Sequence, residues 1–410
     1  MIAGQDFSLQ KFLAFIVIGG LPFYYFFRDH IAISSTLYAL MLGLLFLVSL
    51  FINLKENFYQ FSKTYQLLLI EIAMIINLIF VFIYLDILER SLMLMFITLY
   101  ISKSFFITDS NNGFVTASNV IVCSSFFAGV GMILGIFEYT FTNTNWFSQK
   151  MGFDYPYSDG KGETTLINGL FASANGSAYA LGAGLAFIKF QNLVNGKFRI
   201  GLYLFFTIAL FITKAKFAFL IAASFLGFKL LNKLHTKWLV AYLLILGLSY
   251  IFFSHIMIAV SGTYDYPSLH FRKILFTLGS IDFILGNYGA FKLYTFEAIS
   301  SNFILPMGLD MFVETYSGRP HFMIGALIIS GGFATAILVV TYIFLLLKDS
   351  WKEISKGLDQ NYLYLTILFC FGVETINWNF TNSFYFWSII MGLTSINYYK
   401  NTNKFYERFK

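Results

Sequence analysis

Residues 114–137 read FVTASNVIVCSSFFAGVGMILGIF, a run without a single acidic or basic side chain. A helix that crosses the hydrocarbon core of a bilayer needs about 20 predominantly apolar residues, and this stretch supplies them. Its polar residues are Thr, Ser and Asn, which a helix buried in lipid tolerates when neighbouring helices satisfy them. The choice is therefore between a membrane span and the core helix of a soluble protein, and the rest of the chain decides it.

The 410 residues are 58% hydrophobic, 20% aromatic and 12% charged. Soluble domains carry about 25% charged residues, so the composition points to an integral membrane protein with many spans. Apolar runs of spanning or near-spanning length occupy residues 12–27, 31–54, 67–85, 91–107, 114–137, 173–190, 200–213, 217–231, 238–254, 322–347, 362–377 and 383–396. They predict about twelve transmembrane helices, hence an all-α, polytopic fold in one integral membrane domain over residues 1–410. The N-terminal stretch lacks a small-x-small cleavage site after its apolar run and reads as a retained first helix.

The net charge of +6 does not call for nucleic acid. Lys55, Lys63, Lys197, Arg199, Lys233, Lys237, Lys348, Lys352, Lys356, Lys400, Lys404, Arg408 and Lys410 all fall on one side of the predicted bundle. By the positive-inside bias that side is the cytoplasm, with both termini on it. Cys123 and Cys370 both sit in apolar runs and read as packing residues. No metal-binding spacing, P-loop, dinucleotide turn or GxSxG is present.

The opposite side carries two long segments, residues 138–172 and 262–320. Loops of such length inside a compact protein are functional or disordered. The larger is rich in Phe, Tyr, Leu and Gly and contains SLHFRKILFTLGSIDFIL, whose apolar spacing predicts an amphipathic helix at the membrane surface.

Several polar groups stand near this side. In TKAKFAFL (residues 213–220), Lys214 and Lys216 mark a hairpin tip; they are either snorkelling lysines or functional cations. Arg272 offers a planar fork suited to phosphate. In GRPHF, Arg319 and His321 are either a headgroup-level anchor or a reaction centre, since an imidazole titrates near neutral pH. Asn175, near a helix start in a stretch of small residues, is either a cap and packing residue or a substrate contact. Among ionisable groups inside spans, Glu374 lies near the extracytoplasmic end of its run and is expected to line a site, and Glu71 is expected to pair with a neighbour such as Lys103.

Taken in order, NGLFASANGSAYAL, TKAKFAFL, FRKILFTLGSIDFILGNYGAF and RPHFMIGALIISGG resemble the ordered motifs of the O-antigen ligase and polymerase superfamily, over roughly residues 165–345. Lys216 stands where the family carries an Arg, which keeps the charge but loses bidentate recognition, and His321 is followed by Phe322 rather than Asn. These departures favour the polymerase branch.

The resemblance implies a GT-C-like glycosyltransferase of the bacterial inner membrane working on its periplasmic face. It would join undecaprenyl-pyrophosphate-linked oligosaccharides with inversion and release undecaprenyl pyrophosphate, with no cofactor and no metal. The residues it implies are His321 as base with Glu314 as second choice, Arg272 in the reaction centre, and Lys216, Lys214, Arg319 and Arg272 for the pyrophosphate; Asn175 and Glu374 would contact substrate. Its partners would be the lipid-linked oligosaccharides, the bilayer, a chain-length regulator and a flippase. The alternatives are an O-antigen ligase acting on lipid A-core, a lipid-linked oligosaccharide flippase or transporter, and a structural membrane subunit.

Overall fold

The computed structural model describes residues 9–24, 35–60, 65–85, 90–106, 111–141, 146–154, 161–171, 174–213, 216–230, 323–355, 364–369 and 380–400, together with residues 245, 308, 311 and 314. Helices dominate. They are α1 (Leu9–Gly19, ending in a π-turn), α2 (Ser35–Gln60), α3 (Tyr65–Leu85), α4 (Arg90–Phe106), α5 (Asn111–Phe141), α6 (Ala174–Phe187), α7 (Lys197–Ile212), α8 (Lys216–Leu230), α9 (Met323–Ser355) and α10 (Phe380–Lys400). Residues 364–369 are also helical. Each falls on an apolar run of the sequence, which is what 3.6-residue periodicity without internal Pro dictates. The run at 238–254, apart from residue 245, lies outside the described residues.

Two of these helices, Gly113–Phe141 and Gly332–Asp349, are long and apolar enough to cross a membrane. Shorter apolar helices include Leu37–Ile52, Phe96–Phe106 and Phe384–Thr394.

One element departs from the all-helical expectation. Within the smaller loop, β1 (Ser148–Asp154) and β2 (Lys161–Ile167) pair antiparallel, with Asp154 opposite Lys161 and Ser148 opposite Ile167. β1 carries little strand signature of its own, and β2 only its Thr164–Ile167 end; the hairpin is held where it meets α5.

Helix α6 is the hub. It packs on α5, α7, α8 and α10, and its described side chains are all buried. Small residues make this possible: a Cβ at Gly184 would meet the Ser125 side chain at 2.5 Å, and one at Gly182 would meet Ile221 at 3.0 Å. The second group of helices is built on α4, which packs against α2 and α10, while α3 packs chiefly against α9.

The core is mainly apolar, but polar side chains are buried within it and large apolar ones also face outward. Gln10, Ser49, Ser102, Lys103 and Ser104 are buried. On α2, by contrast, Leu37, Leu40, Leu44, Leu47, Phe51 and Leu54 are each more than half exposed. Their three- and four-residue spacing makes one continuous stripe down a single helix face. Phe333, Ile337, Val340, Phe344, Leu347 and Trp351 repeat the pattern on α9, and Ile72, Ile75, Ile79 and Phe82 on α3.

Candidate functional site

The interhelical hydrogen bonds sort the structure into two ends. At one end Gln10 Nε2 donates to Ser49 Oγ (3.2 Å) and to Ser104 Oγ (2.5 Å). Lys103 Nζ pairs with Glu71 Oε1 at 2.6 Å, and Asn119 holds the loop after α6 through Asn192, donating to its side chain at 2.7 Å and accepting its backbone N–H at 3.0 Å. Glu71 thus has Lys103 as its partner, as expected from the sequence. Asn119, a polar group inside a span, plays a structural part by pinning the turn between α6 and α7.

The hairpin marks the other end. Glu138, near the C-terminus of α5, is buried, and its two carboxylate oxygens accept the backbone N–H groups of Trp146 and Phe147 (2.8 Å for Phe147). The Phe147 carbonyl in turn accepts the N–H groups of Asn168 and Gly169, each at 2.9 Å. Ser177 Oγ in α6 donates to the Asn168 carbonyl at 2.5 Å. The hairpin is thereby tied at its base to both α5 and α6. The contact is close: a Cβ at Gly131 would lie 2.6 Å from the Leu170 N, and one at Gly135 would lie 2.4 Å from Ile167 Cγ2.

Several positions singled out in the sequence meet at this hairpin end. Helix α6 starts there, with Asn175 as its second residue, inside the first turn rather than ahead of it as a cap. The chain returns through α7, so Lys216, the first residue of α8, lies at the same end. Helix α9 packs along α3, and Arg319 and His321 come just before its first residue, Met323, in the chain.

Of the site residues themselves, Glu314 is helical and exposed. Asn175 and Lys216 are placed by their helices. Lys214, Arg272, Arg319, His321 and Glu374 lie outside the described residues, as does almost all of the segment 262–320. Among the described residues no cluster of His, Cys, Asp or Glu is arranged to hold a metal ion.

Two features went unread in the sequence. Glu138 was only the boundary of a loop, because its partners are backbone groups that no sequence pattern reveals. The second is a break in α9 at Gly332, for which the signal was present as Gly331-Gly332, a helix-breaking dipeptide inside an apolar run.

No known protein family, curated protein or solved structure matches the chain.

Proposed function

We propose that the chain is a multi-pass inner-membrane glycosyltransferase that polymerises undecaprenyl-pyrophosphate-linked oligosaccharides on the periplasmic face. The ordered motifs from Asn175 to His321 carry this reading. The fold supports it by setting the starts of α6 and α8 at one end of the bundle, beside the hairpin. The outward Leu and Phe stripes of α2, α3 and α9 support the bilayer placement, since exposed apolar faces of this size in water would associate or aggregate. The basic residues of the opposite end support its assignment to the cytoplasm.

In this mechanism the acceptor sugar hydroxyl attacks the anomeric carbon of the donor from the side opposite the pyrophosphate. His321 takes the hydroxyl proton, the bond to the pyrophosphate oxygen breaks, and the configuration inverts. Charge develops on the departing pyrophosphate, where Arg272, Lys216 and Arg319 would stabilise it.

The test is a gel of cell-surface polysaccharide. Deletion of the gene is expected to leave core capped by single repeat units, whereas bare core would instead indicate a ligase. His321→Ala and Arg272→Ala are each expected to abolish long chains at normal membrane levels of protein; long chains from both variants would overturn the site assignment.

A further inference from the structure

Helix α7 turns one face away from the bundle. Ile200, Leu204, Ile208 and Phe211 are exposed, and their three- and four-residue spacing puts them in one stripe. Lys197, three residues before Ile200, is exposed and heads the same stripe. The 16 residues of α7 rise about 24 Å, against a hydrocarbon core of about 30 Å. A lysine at the head of so short an apolar face lays its stem along that face and carries its ammonium to the headgroups.

The turn that leads into α7 is firmly braced, at the end of the bundle opposite the hairpin. Gln191 is buried; its Nε2 donates to the Val194 carbonyl (2.7 Å) and its Oε1 accepts the Val194 N–H (2.9 Å). Asn119 holds Asn192 from α5. Gly196 enters the helix at φ 57°, a torsion that an L side chain rarely adopts. The braced turn presents Leu193, 52% exposed, and Phe198, 76% exposed. Bare Leu and Phe side chains beside cations suit the boundary between headgroups and acyl chains.

No carboxylate of the surrounding helices answers the charge of Lys197 and Arg199. Residues 164–264 contain no Asp or Glu, so α6, α7 and α8 supply none. The other helix packed closely on α7 is α5. Its one acidic residue, Glu138, holds the hairpin at the opposite end. Among the described residues, Arg199 Nε is buried with no hydrogen-bond partner, and Nη2 reaches only Asn195 Oδ1, at 3.4 Å. Both cations also stand in the first turn of α7, where they oppose the helix dipole. The counter-charge has no source in α5 to α8.

We propose that the turn between α6 and α7 is a docking surface for anionic phospholipid of the cytoplasmic leaflet, the leaflet whose surface is negative. Lys197 and Arg199 take the headgroup phosphate, Leu193 and Phe198 enter the interface beside it, and the acyl chains lie along the α7 stripe. The proposal rests on the bilayer placement of the chain and is independent of the polymerase reading.

The full chain, purified in detergent, is titrated with phosphatidylglycerol and with phosphatidylcholine of the same acyl chains, and bound lipid is counted by native mass spectrometry. One basic side chain beside an anionic headgroup layer contributes about fivefold in binding. Lys197→Gln and Arg199→Gln are each expected to weaken the first phosphatidylglycerol by about that factor. Lys197→Arg is expected to bind as wild type does, and so is Lys348→Gln, which removes an exposed lysine of α9. Phosphatidylcholine bound as tightly as phosphatidylglycerol, unchanged affinity in both Gln variants of the turn, or an equal loss in Lys348→Gln would each overturn the docking surface.

A spin label on the Leu204→Cys variant, in a Cys123→Ala and Cys370→Ala background in nanodiscs, separates this proposal from the placement beneath it. A lipid-facing stripe is expected to be accessible to oxygen and shielded from a water-soluble nickel complex. That result without preference for phosphatidylglycerol would overturn the docking surface alone. Nickel access at Leu204 would overturn the bilayer placement with it.

Discussion

Lys103 and Glu71 face each other at 2.6 Å with both side chains almost wholly buried. The Lys103 ammonium also lies 5.5 Å from the centre of the Tyr100 ring, which adds a cation–π attraction. Such a pair is weak evidence of net stability, because removing two charges from water costs about as much as their attraction returns. Breaking it is another matter. Glu71→Ala or Lys103→Ala should destabilise the protein by about 3–5 kcal/mol, since each leaves a buried charge alone. Replacing both, as Glu71→Leu with Lys103→Met, should recover most of that loss. Unfolding curves in detergent, arranged as a double-mutant cycle, measure this directly; additive single losses would mean the two residues do not act as a pair. Their residue types and positions inside apolar runs announce the need for partners. Their proximity is a property of how α3 meets α4.

Among the elements, the hairpin shows how a polar loop acquires a fixed place. β1, SQKMGFD, has one aromatic and no β-branched residue, so local propensity does not specify it, whereas β2, KGETTLI, carries Thr164, Thr165 and Ile167. What specifies them is the anchor at their base: Glu138 on two backbone N–H groups, Phe147 on two more, and the glycine face of α5 against Ile167 and Leu170. Glu138→Ala should leave those N–H groups without their acceptor, at about 1–3 kcal/mol of local stability. Gly135→Val should lift the hairpin by steric contact with Ile167. Both variants are expected to become sensitive to protease within residues 148–167 while the helices stay protected. Unchanged protection in both would show that the hairpin is held elsewhere. The break in α9 is a second case: Gly331-Gly332 could be seen in the sequence, but whether the chain bends there depends on the helices packed around it.

At the scale of the whole molecule, the outward apolar stripes are where the proposed bilayer placement can be tested. Within a mainly apolar core, Gln10, Ser49, Ser104 and the Glu71–Lys103 pair find partners, while Leu and Phe stripes face outward. In hydrocarbon there is no water to satisfy a polar group, so polar side chains turn inward to find one another. A charge on the outward stripe should therefore be costly. Leu44→Arg or Ile337→Arg should each carry an insertion penalty of about 2.5–3.5 kcal/mol near a helix centre, and lower the amount of protein recovered in membranes. On a face in contact with water the same substitutions would be silent, and wild-type recovery would refute the lipid-facing assignment.

The sequence by itself determined the helical segments and their approximate ends, because apolar run length and the absence of internal Pro are local properties that hold wherever the helix packs. It also determined which residues were chemically notable, from Asn175 and Lys216 to Glu71. The tertiary structure decided which of them meet. It set the starts of α6 and α8 at one end, closed the Glu71–Lys103 pair, docked the hairpin through Glu138 and broke α9 at Gly332. These are contacts between residues far apart in the chain. They arise from the close fit of small-residue faces on α5 and α6 with their neighbours, and no local pattern encodes that fit.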